Sequence, residues 1–460
     1  MGIFGALTTA VSGLRAQSFA LEHISDNIAN SQTTAYKRTE TSFIDIVSES
    51  QPGNQGGGVV AGRSRATNDI SGDILSSSVA THVAINGNGF FMVEQPAGYV
   101  DGKPTFRGVD NFTRRGDFAL DKDGHLVNGA GYMLKGLPID PATGNPTGTL
   151  PQVIQVTNDL LPAQQTTRID YRANLGMVPQ TANYDPDIAG SELIDPADFT
   201  ADPTTATNPP APVPASEASV FLDNSVAGGA ITTYNSSGAA VNVQFRWAKI
   251  DSAASGGSDI WNLFYLTDTA ATGTDPMWVN VGQAYEFSAD GALVQPASGT
   301  TTISGLTVNG TTVGDVVLDH GASGLSQFAD SQGVVRVTDI DQNGYSTGEL
   351  IDVAVSETGR VVGIYSNGEA LDIAEIAVAN FKAPGMLRKL DGGAFAATAE
   401  SGNPTLGLQG RIFAQSLEGS NADIAEEFAK LIVTQQAYTA STRIVTTGDE
   451  MLQEAVNMVR

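Results

Sequence analysis

The stretch "LEHISDNIANSQTTAYKR", Leu21 to Arg38, starts as a helix and then stops being one. Up to Asn30 its apolar residues keep helical spacing; beyond Asn30 comes a polar run with almost nothing to bury. Working back toward the start, Ile3, Leu7, Ala10, Leu14, Gln17, Leu21, Ile24 and Ile28 alternate steps of four and three. That is the a/d seam of a heptad with one polar member, Gln17. Asn27 and Asn30 are the polar residues at the helix exit. The far end of the chain repeats the pattern through Ile424, Phe428, Leu431, Gln435, Tyr438, Thr442, Val445, Asp449, Leu452, Val456 and Val459. Its start is marked by "GSNADIAEEF", which offers Ser420, Asn421 or Asp423 as cap and places Glu426 and Glu427 near the positive end of the helix dipole. Periodicity leaves two arrangements open. The helices pair with each other, or each packs onto the body of its own domain. The small and polar seam members Ala10, Gln17, Gln435 and Thr442 suit a modest pair that needs neighbours, because helices of this length are marginal when isolated.

Between the helices the texture changes. Residues 31–75 are rich in Ser, Thr, Gly, Gln and Asn, with "QPGNQGGGVV" at their centre, and read as an extended connector with room for a short hairpin. From Val79 the signals are β. "HVAINGNGFFMVEQ" reads as strand, turn, strand, with "NGNG" as the turn; "DKDG" and "NGAG" mark two more turns. The stretch from Pro141 to Pro214 is rich in Pro, Thr, Asp and Ala and reads as connections and a Pro-rich loop, with a few strands such as "TRIDYRANL". "TTYNSSGAAVNVQFRWAKI" followed by "DIWNLFYL" predicts three antiparallel strands, with Val241, Val243, Phe245 and Trp247 on one face. "ETGR" and "SNGE" are turns of a later meander. The expected fold class is multidomain and mainly β with paired terminal helices. The expected division is a terminal-helix coiled-coil domain (1–30 and 420–460), the connector (31–75), a middle β domain (76–144 and 331–419) and an outer β insert (145–330), each nested within the last.

The 24 basic against 50 acidic residues leave a net charge of −26, a poor endowment for binding nucleic acid. Residues 145–330 carry 19 Asp and Glu against 4 Lys and Arg, which suits a solvated outer domain. With no cysteine, disulfides, thiolate nucleophiles and Cys-ligated metals are excluded. The start has an apolar stretch but no basic residue before it, so a cleavable signal peptide is not expected, and no apolar run is long enough for membrane insertion. The four histidines, His23, His82, His125 and His320, have no zinc-ligand spacing, and His23 reads as a solvated helix residue. "DIDQNGYSTGEL" begins like a calcium loop, but its twelfth position is Leu350 and Glu349 comes one residue early; it reads as a polar turn. No catalytic constellation and no cofactor site emerge, so an enzyme is not expected.

"ALTTAVSGLRAQSFALEHISDNIANSQTTAYKR" and "IAEEFAKLIVTQQAYTASTRIVTTGDEMLQEAVN" together resemble the two ends of the flagellar rod and hook axial proteins. "NGNGFFMV", "FTRRGDFALDKDGHLVNGAGYMLKG", "QNGYSTGELIDVAVSETGRVVGIYSNGE" and "IAVANF" are similar to the hook branch of that family. So is "TTYNSSGAAVNVQFRW…WNLFYL". Rod members share the ends but lack a large insert, and are the alternative. A secreted β-rich adhesin is the competing class. The resemblance implies a helical homopolymer: a tube lined by the terminal coiled coil, which transmits torque while bending. It also implies partners: the chain itself, the rod, the hook cap, the hook–filament junction proteins and the type III export apparatus. The implied location is extracellular, at the flagellar base, reached without a cleavable signal.

Overall fold

A computed structural model describes residues 3–46, 58–141, 143–206, 209–330, 332–407 and 409–458. Most of "QPGNQGGGVV" lies outside the described residues, as does Val459 of the expected C-terminal seam. The described helices are α1 (Ile3–Ala29), the short α2 (Ala218–Asp223) and α3 (Ile424–Met458); everything else of regular length is β. None of these helices is long and apolar enough to cross a membrane. Two compact units make up the chain. One is Met1–Asp159 with Leu350–Tyr365 and Ala370–Arg460; the other is Leu160–Glu349 with Ser366–Glu369.

In the first unit α1 packs against α3, which decides between the two arrangements that periodicity left open. The connector is more than a tether. Strands β1 (Thr39–Ile46) and β2 (Val59–Ala66) form an eight-residue antiparallel ladder that lies along α1. Gly62 meets α1 where Phe19 and Ala16 face it. Strand β3 (Ile74–Ser76) then pairs with Ser416–Glu418, and β4 (Val83–Asn88) with Gln409–Ala414. The chain on either side of the helices is thus tied together before the main sheet begins.

The "NGNG" reading fails in an instructive way. β4 and the following strand β5 (Phe90–Glu94) do not form a hairpin. β4 pairs with Gln409–Ala414, whereas β5 joins Asn111–Thr113, Met133–Pro138 and Val378–Asn380 in a 13-stranded sheet. Gly89 has φ +130°, and a Cβ there would come within 2.7 Å of Val378, so the dipeptide serves a close backbone approach rather than a hairpin. β5 is buried on both faces: Phe91 and Val93 enter one apolar cluster, Phe90 and Met92 another. The other turns stand where expected. "DKDG" joins Phe118–Leu120 to Leu126–Asn128, "ETGR" joins Leu350–Val355 to Arg360–Tyr365, and "SNGE" follows it.

The second unit packs a six-stranded antiparallel sheet and a five-stranded mixed one over a shared core. Val226–Tyr234, Ala240–Asp251 and Asp259–Leu266 are the three predicted strands. Val241, Val243, Phe245 and Trp247 all enter that core. On the outer face of the same sheet, Ala248, Phe264, Leu266 and Trp278 are covered by Ile194, Phe199, Val213 and Phe221. Residues 185–219 therefore help to cover a sheet face: Ile194, Phe199 and Val213 come from this stretch and Phe221 from α2 just beyond it, and the prolines hold the rest in irregular backbone.

The unit boundaries depart from the expected 145 and 330. Gln152–Val153 pairs with Met133–Pro138, and Ile154 and Val156 lie in the first unit's core. Arg336–Gln342 pairs with Arg168–Asn174 in the second unit, so 331–349 belongs to the insert. The polar turn after it is closed by Asn343 Oδ1, which accepts from the backbone N–H groups of Thr167 and Arg168 at 3.0 Å each.

Candidate assembly interface

α3 begins where Asp423 Oδ1 accepts hydrogen bonds from the N–H groups of Ala425 (2.7 Å) and Glu426 (3.1 Å). Asp423 is thus the cap among the three offered by the sequence. Its neighbour Asn421 has another task. Its Oδ1 accepts from Arg38 N (2.7 Å), and its Nδ2 donates to the carbonyls of Thr67 and Ile70.

The helix pair is narrow. Leu7 lies against Gly448, where a Cβ would stand 2.7 Å from its side chain, and Gly13 faces Ser441. At the other end Asn27 Nδ2 donates to Glu427 Oε2 (3.1 Å) and to Thr39 O (3.0 Å), while Asn27 Oδ1 accepts from Thr39 N (3.0 Å). Lys430 Nζ completes the site, 2.9 Å from Glu427 Oε1. Both Asn27 and Glu427 are buried.

On α1, Ala10 and Ile24 are buried and Leu7, Leu14, Gln17, Leu21 and Ile28 are half-buried; nothing is described of the Ile3 side chain. On α3, Leu431, Val445 and Leu452 of the expected seam are half-buried. The row through Phe428, Gln435, Thr442 and Asp449 is displaced by one residue. Glu427, Thr434, Ser441 and Gly448 turn inward, and Phe428 (50% exposed) and Val456 (65%), with Ile424, Gln435, Tyr438, Thr442 and Asp449, face solvent. The reason is steric and electrostatic. Small residues at 441 and 448 let α3 approach α1, and Glu427 finds Asn27 and Lys430, whereas Phe428 would hold the helices apart. Asn27 is the centre of the helix exit rather than a solvated residue. Asn30 caps locally, its Nδ2 donating to Asp26 O at 2.9 Å.

Below the pair lies a junction that the sequence did not reveal. Glu418, fully buried, accepts from Lys37 Nζ, from Arg114 Nη1 (3.3 Å) and from Gly72 N (2.9 Å). Lys37 Nζ also donates to Ile70 O (2.6 Å), and Arg114 Nη1 to Ile85 O (3.0 Å). Burial pushes the Lys37 ammonium below its usual range, against the opposing pull of Glu418. The segments Ala35–Lys37, 67–72, β4 and 414–418 converge on one carboxylate. Arg38 at the surface of this junction reaches Glu426 (2.9 Å), whose carboxyl is held below the usual range by hydrogen bonds from Lys430 and Arg38. Lys37 and Glu418 are 381 residues apart, so no local spacing could announce the pair.

The helical end is thus two helices joined by polar pins and tied to a β body through a buried ion-pair junction, with apolar residues left exposed. Residues 7–37 match the model of flagellar basal body rod proteins, residues 84–164 that of the flagellar hook protein FlgE/F/G D1 domain, and residues 414–458 that of the basal body rod FlgEFG C-terminal region. The class is thus the flagellar axial proteins. The flagellar hook protein FlgE of Brucella suis is 30% identical over the whole of both chains. That of Salmonella typhimurium is 29% identical over 98% of this chain and all of its own. The crystal structure of Helicobacter pylori flagellar hook protein FlgE2 shares the fold at 16% identity, covering 75% of this chain and all of its own, with a TM-score of 0.50. The chain belongs to the flagellar hook protein family.

Proposed function

We propose that this chain is the structural subunit of a bacterial flagellar hook, polymerising into a curved, flexible tube that passes torque from the rotary motor to the filament. The observation that carries the reading is end-to-end similarity to hook proteins in a chain whose paired terminal helices leave much of α3's apolar surface uncovered. It acts as a building block and not as an enzyme, outside the cell at the flagellar base. Its partners beyond its own copies are the rod, the hook cap, the junction proteins and the export apparatus.

The mechanical account divides labour by surface chemistry. Close-packed apolar seams resist sliding, whereas wet polar contacts exchange partners at little cost. The terminal helices supply the fixed contacts, with each Leu or Ile side chain buried between copies worth roughly 1.5–3 kcal/mol. The junction around Glu418 transmits force from the helices to the β body without bending. The acidic outer unit offers the slipping surface. Electron microscopy of the purified chain at high concentration tests the assignment: short curved tubes are expected, and a solution that stays monomeric at every concentration contradicts it.

A further inference from the structure

Two surfaces of the helical end stay open among the described residues. The first is a groove of about 590 Å³ between α1 and β2, walled by Phe4, Val11, Arg15 and Phe19 on one side and by Val59 and Val60 on the other. Successive helix residues turn by about 100°, so Val11 and Arg15, each two residues from Gly13, both lie roughly opposite it. Gly13 faces α3. The groove therefore opens away from the chain's own α3. Phe4 is 73% exposed in it, and Arg15 forms no ion pair among the described residues.

The second surface runs along α3. Val433, Ala440, Ile444, Thr447, Met451 and Met458 follow heptad steps and are all exposed. The stripe lies about a quarter-turn from Thr434, Ser441 and Gly448, which face α1. Val433 is 65% exposed and Met458 79%, an unusual amount of exposed apolar surface along one helix. Glu450 and Glu454 rim the stripe, with Arg443 beside them. The acidic rim complements Arg15 in the groove. The groove spans four turns of α1, about 23 Å, and the stripe is longer.

We propose that the α1–β2 groove of one copy receives the Val433–Met458 stripe of α3 from a second copy. This rests on the reading of the chain as a polymer subunit and names the two faces that meet. Because groove and stripe are different surfaces, the contact is heterologous: each copy offers one of each, and the series stays open instead of closing as a two-fold dimer.

The absence of native cysteine makes the test clean. Full-length Val11→Cys, combined in turn with Ile444→Cys and with Met451→Cys, is assembled and mildly oxidised. A ladder of covalent dimers, trimers and longer chains is expected from at least one combination, and none from Val11→Cys alone. Tubes without a ladder, or cross-linking that halts at dimers, overturn the inference while leaving the proposed function standing. A second pair guards against local distortion. Arg15→Glu is expected to raise the protein concentration needed for assembly at least tenfold, and Glu454→Arg in the same chain to recover most of it. No effect of Arg15→Glu at low salt also overturns the inference. Failure of the unmodified chain to form tubes at any concentration removes the proposed function, and this inference with it.

Discussion

The helical end and the second unit, which holds the expected outer insert and is called the outer unit below, bury their side chains in opposite ways. α1 and α3 meet through Gly13, Ser441, Gly448 and a buried Asn27–Glu427 hydrogen bond, while Phe428, Ile432 and Val433 stay exposed. In the outer unit Trp247, Trp261, Tyr171 and Tyr285 are fully enclosed. There Trp247 Nε1 donates to Tyr171 Oη (2.9 Å), and the Tyr171 hydroxyl donates to Gly228 O (2.7 Å). A core that encloses its rings on both sides is finished within one chain. A helix pair held by glycines and polar pins, with heptad stripes left outside, keeps apolar surface that neighbours could cover. Specific polar contacts align the end, and the proposed assembly draws its affinity from the apolar surface around them.

The sharpest way to break this contrast is to charge the seam. Leu14→Asp or Leu431→Asp should abolish tube formation while leaving the β domains folded, as read by electron microscopy and circular dichroism. Normal tubes from either variant would remove the seam assignment. Next in size is the junction. Glu418→Gln leaves Lys37 and Arg114 buried without their counter-charge, a loss of roughly 3–5 kcal/mol. In calorimetry the unit holding the helices should melt earlier and the transition of the outer unit should not move. In the outer unit the reverse holds. Tyr171→Phe orphans Trp247 Nε1 and Gly228 O and should cost about 1–3 kcal/mol there, with assembly unaffected.

The smallest effect separates the regions by pH. His320 is buried in the outer core, with Nδ1 3.0 Å from Tyr171 O, and burial lowers its pKa. The unfolded chain takes up a proton near the ordinary histidine value of about 6.5, before the folded chain does. The outer unit should therefore lose stability as pH falls below that value, and His320→Gln should flatten the slope. At the helical end the depressed carboxyl is Glu426, whose contribution is present above the ordinary glutamate value of about 4.3 and lost as pH falls through its lower folded pKa. Unfolding curves at pH 7, 5.5 and 3.5, followed by Trp fluorescence for the outer unit and by α1–α3 helicity for the end, resolve the two windows.

Periodicity made both helices and the outer three-stranded unit legible, because those residues repeat at the spacing of the element they build. Leu431, Val445 and Leu452 kept the positions that pattern assigned. Phe428 did not, because hydrophobicity says which residues prefer burial but not whether a neighbour's Gly448 allows a closer packing one residue away. "NGNG" carried a real backbone requirement, yet its strands found partners elsewhere in the chain. Glu418, Lys37 and Arg114 were illegible because a buried ion pair is defined by residues hundreds of positions apart, and each reads locally as an ordinary surface charge.

Hydrogen exchange on the full-length chain, dilute and then assembled, tests most directly whether the helical end is incomplete alone. Amides of α1 and of α3 from Ile432 to Met458 should exchange fast in the dilute chain and become strongly protected in the tube. The strands bearing Trp247, Trp261 and Tyr285 should be protected equally in both. Terminal helices already as protected in the dilute chain as those strands, with no change on assembly, would contradict the account.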